Sequence, residues 1–242
     1  NRKKAIHEAI MNLETGNLLL VAGKGHEKIQ DYGKRKLFFS DQEIILKSIK
    51  LKNKSLSSDL KLNIIKEESN SEISNKINIK DISINSKTIK KDDVFFAIVG
   101  KNVDGNKFIP EVLKKKSSFA VVSKINRNYP LSKQVKVKNT LNFLSKCSSI
   151  FRENINTKII SITGSCGKTT LKEMIGLTLS KISKTSYSPK SYNNKYGVPL
   201  SLFNIKNNDE FGVLEVGMDK KGEIDNLTKI VRPDLGIITN IS

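Results

Sequence analysis

The chain has 242 residues, of which 37% are hydrophobic and 28% charged, and its formal net charge is +19. This length allows a buried core in one or two domains, and no apolar run reaches the roughly 18–20 residues that a membrane span needs. The charge is compatible with a nucleic-acid binder, but a drift in composition towards Lys, Asn and Ile explains it better. Base readout favours arginine, and the chain has few: Arg2, Arg35, Arg127, Arg152 and Arg232.

The first element is a helix predicted over residues 3–15 from an apolar stripe, with Gly16 as its end. A buried strand is predicted at 17–22. It leads into a polar loop, Gly23-Lys24-Gly25-His26-Glu27. Glycines beside polar residues usually mark turns, so the loop alone indicates a plain turn.

A second helix is predicted near residues 41–50. Ser40 and Glu43 have the spacing of a capping box in front of it. Residues 51–75 are rich in Lys, Ser, Asn and Glu. This composition predicts a linker with at most one short helix or strand.

From about residue 76, strand-like runs alternate with amphipathic helical patterns, which predicts an α/β fold with parallel sheets and helices on both faces. Strands are predicted at 94–99, 119–122, 158–163, 211–216 and 235–239. Helices are predicted around 108–113, 139–152, 171–182 and 222–231. The apolar stripe predicted for the third of these helices consists of Leu171, Met174, Ile175, Leu179 and Ile182.

The cysteines and histidines do not predict a metal site. Cys147 and Cys166 lack metal-ligand spacing, and His7 and His26 have no Cys or His close by in sequence. Cys147 lies on an apolar helical stripe and is expected in the core. Without a signal-peptide pattern at the start, reduced thiols in a cytoplasm are expected.

Because Asn1 rather than Met begins the chain, which ends directly after a strand-like run, we expect a fragment of a longer protein.

A glycine-containing segment at 163–170 predicts a nucleotide site. Its spacing, G-x-x-G-K-T, is two residues shorter than the common phosphate loop. A strand precedes it and a helix follows, so backbone N–H groups and the helix N-terminus converge on phosphate oxygens. Lys168 can neutralise the β- and γ-phosphates and Thr169 can hold Mg²⁺. The predicted ATP-binding residues are Gly164, Ser165, Cys166, Gly167, Lys168, Thr169 and Thr170.

Two further features can complete such a site. Glu215 ends a predicted buried strand, where an acidic side chain faces the ligand crevice of a parallel sheet and suits Mg²⁺. The alternative is a surface carboxylate at a strand end. The paired amides of Asn193 and Asn194 can bind peptide or phosphate groups, but by chemistry alone the segment 191–199 is equally consistent with a simple turn.

Together these motifs resemble the Mur ligase family. The resemblance is carried by residues 162–170, 193–199, 214–218 with 222–224, and 237–241. It is strongest to the branch that adds D-Ala-D-Ala to the peptidoglycan precursor UDP-MurNAc-tripeptide. Upstream, residues 82–89, 93–98 and 100–109 are similar to that branch's UDP-substrate domain. The family's Asp-Ser-Arg stands here as Asn85-Ser86-Lys87.

This resemblance implies an ATP- and Mg²⁺-dependent ligase that forms an amide bond through an acyl-phosphate in the bacterial cytoplasm. Lys168 and Glu215 would be catalytic, and Thr169 and Glu215 would hold the metal. The residues implied in substrate binding are Asn85, Ser86, Lys87, Asn193 and Asn194. Residues 76–153 would form the UDP-substrate domain and 154–242 a truncated ATPase domain. No nucleic-acid partner and a monomer within a longer chain are expected.

Residues 1–50 resemble a different branch, namely the end of the Rossmann-like third domain of the ligase that adds the third peptide residue, meso-diaminopimelate or Lys. The resemblance implies that Gly23 and Glu27 contact the incoming diamino acid, where a carboxylate can receive the free ammonium group. The chain would then join two consecutive enzymes through linker 51–75. Two alternatives are a folylpolyglutamate synthase-like ligase and a basic P-loop nucleic-acid-binding protein.

Overall fold

The computed structural model describes residues 2–14, 16–24, 27–31, 33, 36–74 and 77–241. It divides into two units, Asn1–Leu56 and Ser57–Ser242. The helices are α1 (Arg2–Met11), α2 (Asp41–Ser69), α3 (Ile109–Lys114), α4 (Thr140–Glu153), α5 (Lys168–Ser180), α6 (Gly197–Phe203) and α7 (Glu223–Val231). The strands are β1 (Ile29–Asp31), β2 (Lys36–Phe38), β3 (Ile82–Ser83), β4 (Val94–Phe96), β5 (Phe119–Val122), β6 (Gln134–Lys136), β7 (Lys158–Thr163), β8 (Thr185–Tyr187), β9 (Phe211–Glu215) and β10 (Leu235–Ile238). Among the described residues, no helix combines the length and apolarity needed to cross a bilayer.

The first unit contains α1, the antiparallel hairpin β1–β2 and the start of α2. Arg2 contacts Asp41 through its Nε, 2.8 Å from Oδ1, and this hydrogen bond holds the pKa of Asp41 below its usual value. The strand predicted at 17–22 is wrong, since this segment is irregular and Leu18 and Leu20 are 92% and 82% exposed. A strand needs a neighbour to pair its backbone groups, and the described part of the unit offers none to this segment.

Helix α2 extends well beyond the predicted residues 41–50. It continues to Ser69, through most of the segment predicted as a linker. In the second unit its apolar side chains Leu62 and Ile65 are 2% and 0% exposed. Tertiary packing of such a face stabilises a helix more than local propensity does, and the many Lys, Asn and Ser residues hid that face in the sequence.

The second unit begins with a parallel sheet in the order β3-β4-β5-β6. One of its faces carries Phe96 and Val121, which join the larger hydrophobic core. The other face carries Phe95 and Ala120 and packs with residues of α3. Both faces are therefore covered, as is usual for a parallel sheet.

A second parallel sheet follows in the order β10-β7-β9-β8. Its core continues that of the first sheet through α4 and α6, where Phe151 and Phe203 have ring centroids 5.2 Å apart. Cys147 on α4 is fully buried, and burial raises its pKa to about 12. The predicted α/β class with parallel sheets is thus confirmed, as is the core position of Cys147.

Helix α5 differs from its prediction in the face that it buries. Met174 and Ile182 of the predicted apolar stripe are 60% and 77% exposed. The buried residues of the helix are Lys172 and Gly176. A Cβ on Gly176 would lie 2.7 Å from Cδ1 of Tyr187, so the absence of a side chain lets the helix approach β8 closely.

Candidate nucleotide site

The candidate site lies where β7 ends and α5 begins. The intervening turn contains two glycines with left-handed backbone, Gly164 at φ +132 and Gly167 at φ +79. Gly167 is the N-cap of α5. The first N–H groups of a helix have no partner within the helix, so they and the helix dipole form an anion-binding terminus at this point.

The end of β10 holds this turn in place. The backbone O of Asn240 accepts the N–H of Ser165 at 3.0 Å, and its Oδ1 accepts the N–H of Cys166 at 3.0 Å. The hydroxyl of Thr239 donates to the backbone O of Cys166 at 2.5 Å. Cys166 is therefore a backbone contact in the turn, and its side chain is exposed.

Lys168 lies over the turn as its sequence position predicts. Its Nζ donates to the backbone O of Gly164 and, at 3.2 Å, to that of Ser165. The side chain thus curls across the turn, within reach of a phosphate group bound there.

Three side chains meet beside the turn and form its polar wall. The hydroxyl of Thr169 donates to Oε2 of Glu215 at 2.9 Å, and Nδ2 of Asn193 donates to Oε1 of the same carboxylate at 2.8 Å. Glu215 is 1% exposed, at the end of β9. A buried carboxylate beside a hydroxyl offers the hard oxygen ligands that Mg²⁺ prefers.

The donor set fits Mg²⁺ better than a metal that needs many protein ligands. Within the described ranges, no group of three or more His, Cys, Asp or Glu side chains could hold an ion. Mg²⁺ is usually held by one or two carboxylates together with substrate phosphates and water. Thr169 and Glu215 are the oxygen donors that this site offers for such an arrangement.

The predicted partner Asn194 has a structural contact of its own. Its Oδ1 accepts the N–H groups of Tyr196 and Gly197 at 3.0 Å each, which caps the start of α6. Of the segment 191–199, for which the sequence also allowed a simple turn, residues 197–199 begin the buried helix α6. Pro199 is compatible with the helix because the first turn needs no intrahelical N–H donor.

The substrate-binding residues predicted upstream follow the end of β3. The Oδ1 of Asn85 accepts the N–H of Lys87 at 2.9 Å, and the backbone O of Ser86 accepts Nζ of Lys115 at 2.7 Å. Lys87 is exposed. These residues form a local turn at the carboxyl edge of the first sheet.

The same edge carries an open cleft of about 410 Å³ that the sequence did not predict. The cleft is lined by residues from 104–109 and from 124–128. Asn106 links these two segments, because its Nδ2 donates to Ser123 Oγ at 2.9 Å. Cationic side chains at the cleft come from Lys107, Lys124 and Arg127. Asp104 lines the cleft as well, so its three basic side chains exceed its one acidic side chain, and it lies at the edge where ligands of parallel sheets bind.

The first unit contains the other two predicted substrate-binding residues, Gly23 and Glu27. Gly23 has φ +109 and Glu27 is exposed. The N–H of Glu27 donates to the backbone O of Lys24 at 3.0 Å. Gly25 and His26 of the same loop lie outside the described residues.

The sequence analysis did not predict Asn240 and Ser188, which contact the turn and the polar wall, or the buried Lys172 of α5. Asn240 belongs to a segment that contributed only to the family resemblance. Ser188 Oγ accepts the N–H of Glu215 at 3.3 Å, and Lys172 is a fully buried lysine on α5. A lysine at a buried position of a helix can indicate a functional residue. The apolar stripe predicted for α5, however, placed the buried face of that helix elsewhere.

Two family descriptions match the chain. Residues 78–152 match "Mur ligase family, catalytic domain" and residues 162–242 match "Mur ligase middle domain". The UDP-N-acetylmuramoyl-tripeptide–D-alanyl-D-alanine ligase of Rickettsia prowazekii (strain Madrid E) is 36% identical over 171 residues, which are 71% of this chain and 38% of that relative. The enzyme of the same name from Bacillus subtilis (strain 168) is 30% identical over 67% of this chain and 36% of its own length.

Solved structures agree with these relatives. A UDP-N-acetylmuramoylalanyl-D-glutamyl-2,6-diaminopimelate–D-alanyl-D-alanyl ligase from Acinetobacter baumannii matches with a TM-score of 0.68 and 30% identity, over 74% of this chain and 41% of that one. A MurF ligase from Thermotoga maritima in complex with ADP matches with a TM-score of 0.58 and 31% identity, over 66% of this chain and 37% of that one. The chain thus spans well under half the length of these relatives.

Proposed function

Since the chain belongs to the Mur ligase family, we propose that it forms the nucleotide-binding part of a ligase that joins D-Ala-D-Ala to UDP-MurNAc-tripeptide. The observation that carries the proposal is the convergence of Thr169, Glu215 and Asn193 beside the turn at 164–167. ATP and Mg²⁺ are the groups that this arrangement suits. When bound, MgATP supplies the phosphoryl group that activates the tripeptide carboxylate.

The chain's own residues would bind and orient the reacting groups. Lys168 and the N–H groups at the start of α5 stabilise negative charge on the phosphoryl oxygens. Thr169 and Glu215 hold Mg²⁺ through their oxygens. Asn193 fixes the carboxylate of Glu215 by its hydrogen bond, and Asn194 shapes the adjoining helix start.

The UDP end of the substrate belongs, in this proposal, at the carboxyl edge of the first sheet. Lys107, Lys124 and Arg127 line the cleft there and can pair with a diphosphate. Asn85, Ser86 and Lys87 follow β3 at the same edge and are retained as proposed contacts to the uridine nucleotide. Residues 76–153 would then be the substrate domain and 154–242 part of the ATPase domain.

The first unit extends the proposal to a joined pair of enzymes. On the resemblance of residues 1–50, we assign them to the ligase that adds the third peptide residue, with Gly23 and Glu27 facing the incoming diamino acid. The gene sequence on both sides of residues 1–242 tests this assignment. It should encode the remainder of both ligases in one reading frame, in a protein that acts as a monomer in the bacterial cytoplasm.

Binding measurements on the chain test the central proposal. We expect Mg²⁺-dependent binding of an ATP analogue, and loss of the Mg²⁺ dependence in Thr169→Ala and Glu215→Gln. UDP-MurNAc-tripeptide should bind independently of both changes. Salt-sensitive retention of nucleic acid in a filter assay, combined with no nucleotide binding, would favour the basic nucleic-acid-binding alternative.

A further inference from the structure

Lys172 places a fully buried ammonium group next to the nucleotide site. It lies on α5, three residues after Thr169, and is 0% exposed. Its Nζ donates to the backbone O of Lys190 at 2.6 Å and lies 3.0 Å from Oε1 of Glu173. Burying a charge is unfavourable unless it is paired and hydrogen-bonded, and an apolar side chain of similar volume often stabilises a fold as well or better. Packing alone therefore does not account for this ammonium.

The acceptor of this ammonium lies in a strained segment. Lys190 has φ +50, which is an unfavourable conformation for a residue with a side chain. Such a conformation persists only where the surroundings hold it. The hydrogen bond from Lys172 is a contact that does so.

The same segment, residues 188–193, contacts Glu215 on either side of Lys190. Ser188 Oγ accepts the N–H of Glu215 at 3.3 Å, and Asn193 Nδ2 donates to the carboxylate of Glu215 at 2.8 Å. The backbone O of Asn193 also accepts the N–H of Gly217 at 2.6 Å. Lys190 therefore lies within a short segment whose two ends both contact Glu215.

Helix α5 contacts both Glu215 and the segment 188–193. Its Thr169 donates to Glu215, its Lys172 bonds to the segment 188–193, and its Gly176 packs closely on Tyr187 of β8. Residues three and four apart share one face of a helix. One face of α5 thus contacts both the carboxylate and the segment that orients it.

We propose that Lys172 is a positioning residue of the nucleotide site. Its ammonium holds the segment 188–193 in the conformation in which Asn193 orients Glu215 towards Thr169. Lys172 acts through these residues and need not touch the nucleotide. The inference rests on the proposed function for the identity of the ligand, MgATP, but the ordering of the segment is independent of it.

The substitution Lys172→Met tests the inference because it keeps a long side chain and removes the ammonium. Residues that orient metal ligands typically contribute about 10–100-fold to metal affinity, so the half-saturating Mg²⁺ concentration for binding of a fluorescent ATP analogue should rise roughly tenfold. Binding of the analogue without Mg²⁺ should change by less than about twofold, since no direct contact is lost. Amide hydrogen exchange in residues 188–193 should accelerate.

Lys61→Met is the matched control. Lys61 is also buried, at 6% exposure, and burial lowers its pKa. Its ammonium lies 5.9 Å from the ring centroid of Phe151 in the hydrophobic core. This variant should leave both the Mg²⁺ requirement and the exchange of residues 188–193 unchanged. A second comparison uses Asn193→Ala, whose effect on the Mg²⁺ requirement should not add to that of Lys172→Met, because both act on one chain of contacts.

An unchanged Mg²⁺ requirement in folded Lys172→Met would overturn the proposal, as would full additivity with Asn193→Ala. If Lys172→Met does not fold, Lys172→Leu also removes the donor and is measured in the same way. A rise in the Mg²⁺ requirement supports the proposal there, and behaviour identical to the unsubstituted chain overturns it. If the unsubstituted chain binds no ATP analogue, the proposed function fails, and hydrogen exchange in residues 188–193 still decides whether Lys172 orders that segment.

Discussion

Gly164→Ala should displace the turn at 164–167 from the strand end that holds it. Gly164 has φ +132, and an added Cβ would collide with the hydroxyl of Thr239 and lie 2.9 Å from the backbone O of Asn240. A rotamer change can move the hydroxyl, but the backbone atoms of Asn240 cannot retreat without shifting β10. The turn and the end of β10 must therefore separate.

The size of the effect follows from two contributions. A left-handed backbone conformation disfavours Ala by about 1–3 kcal/mol, and forcing a methyl group into a filled contact typically adds about 1–3 kcal/mol. The free energy of unfolding should fall by roughly 2–6 kcal/mol, the sum of the two ranges. Gly222→Ala is the matched control, because Gly222 has φ +83 but no described atom lies within 4 Å of its added Cβ. Only the backbone contribution of about 1–3 kcal/mol applies to it.

Urea unfolding measures the two free energies, and titration with a fluorescent ATP analogue measures the site. Gly164→Ala should be the less stable variant and should lose nucleotide binding, whereas Gly222→Ala should retain it. Equal losses of stability in the two variants, together with normal nucleotide affinity in Gly164→Ala, would refute the reasoning.

Three further outcomes are expected. Lys168→Ala should abolish ATP binding because it removes the ammonium beside the phosphates, whereas Lys181→Ala, at an exposed position just after α5, should not change it. Iodoacetamide should alkylate Cys166 in the native chain and spare Cys147, whose pKa burial raises to about 12; MgATP should protect Cys166. The Asp234 carboxylate accepts a backbone N–H, which lowers its pKa in the folded protein. Its contribution to stability is therefore present above the ordinary pKa of 3.8 and is lost as the pH falls through the lower pKa of the folded state. The destabilisation in Asp234→Asn, measured by urea unfolding, should therefore shrink between pH 7 and pH 3.

Each of these has a clear contrary result. Normal ATP affinity in Lys168→Ala would contradict the assignment of the turn. Equal alkylation of the two native thiols would contradict the burial of Cys147. A destabilisation by Asp234→Asn that grows on acidification would contradict the direction of its pKa shift.

The strands and helices of the second unit were predictable where hydrophobic patterns were strong. Val94–Phe96 and Phe119–Val122 are continuous apolar runs, and both form buried strands. The edge strand Gln134–Lys136 was missed because it is short and polar. The helix Gly197–Phe203 was missed because Pro199 resembled a turn signal, although it lies in the first helical turn.

Local sequence patterns also determine which residues of the candidate site were predictable. The turn at 164–167 and Glu215 were predictable because strand, glycines and strand-end carboxylate are local patterns. The roles of Lys172 and Asn240 were not predictable, because they depend on hydrogen bonds to segments distant in sequence. An example is the hydrogen bond that joins Cys166 to Asn240. A single sequence does not specify which distant backbone groups will meet.

The contact between Asn240 and the turn at 164–167 has a consequence for the order in which the protein is made. Cys166 and Asn240 are 74 positions apart, and ribosomes add about 5–20 residues per second. The turn therefore leaves the ribosome about 4–15 s before the segment that fixes it. During that interval the glycine-containing motif is present without its supporting strand, so the candidate nucleotide site is completed only when the end of β10 has been synthesised.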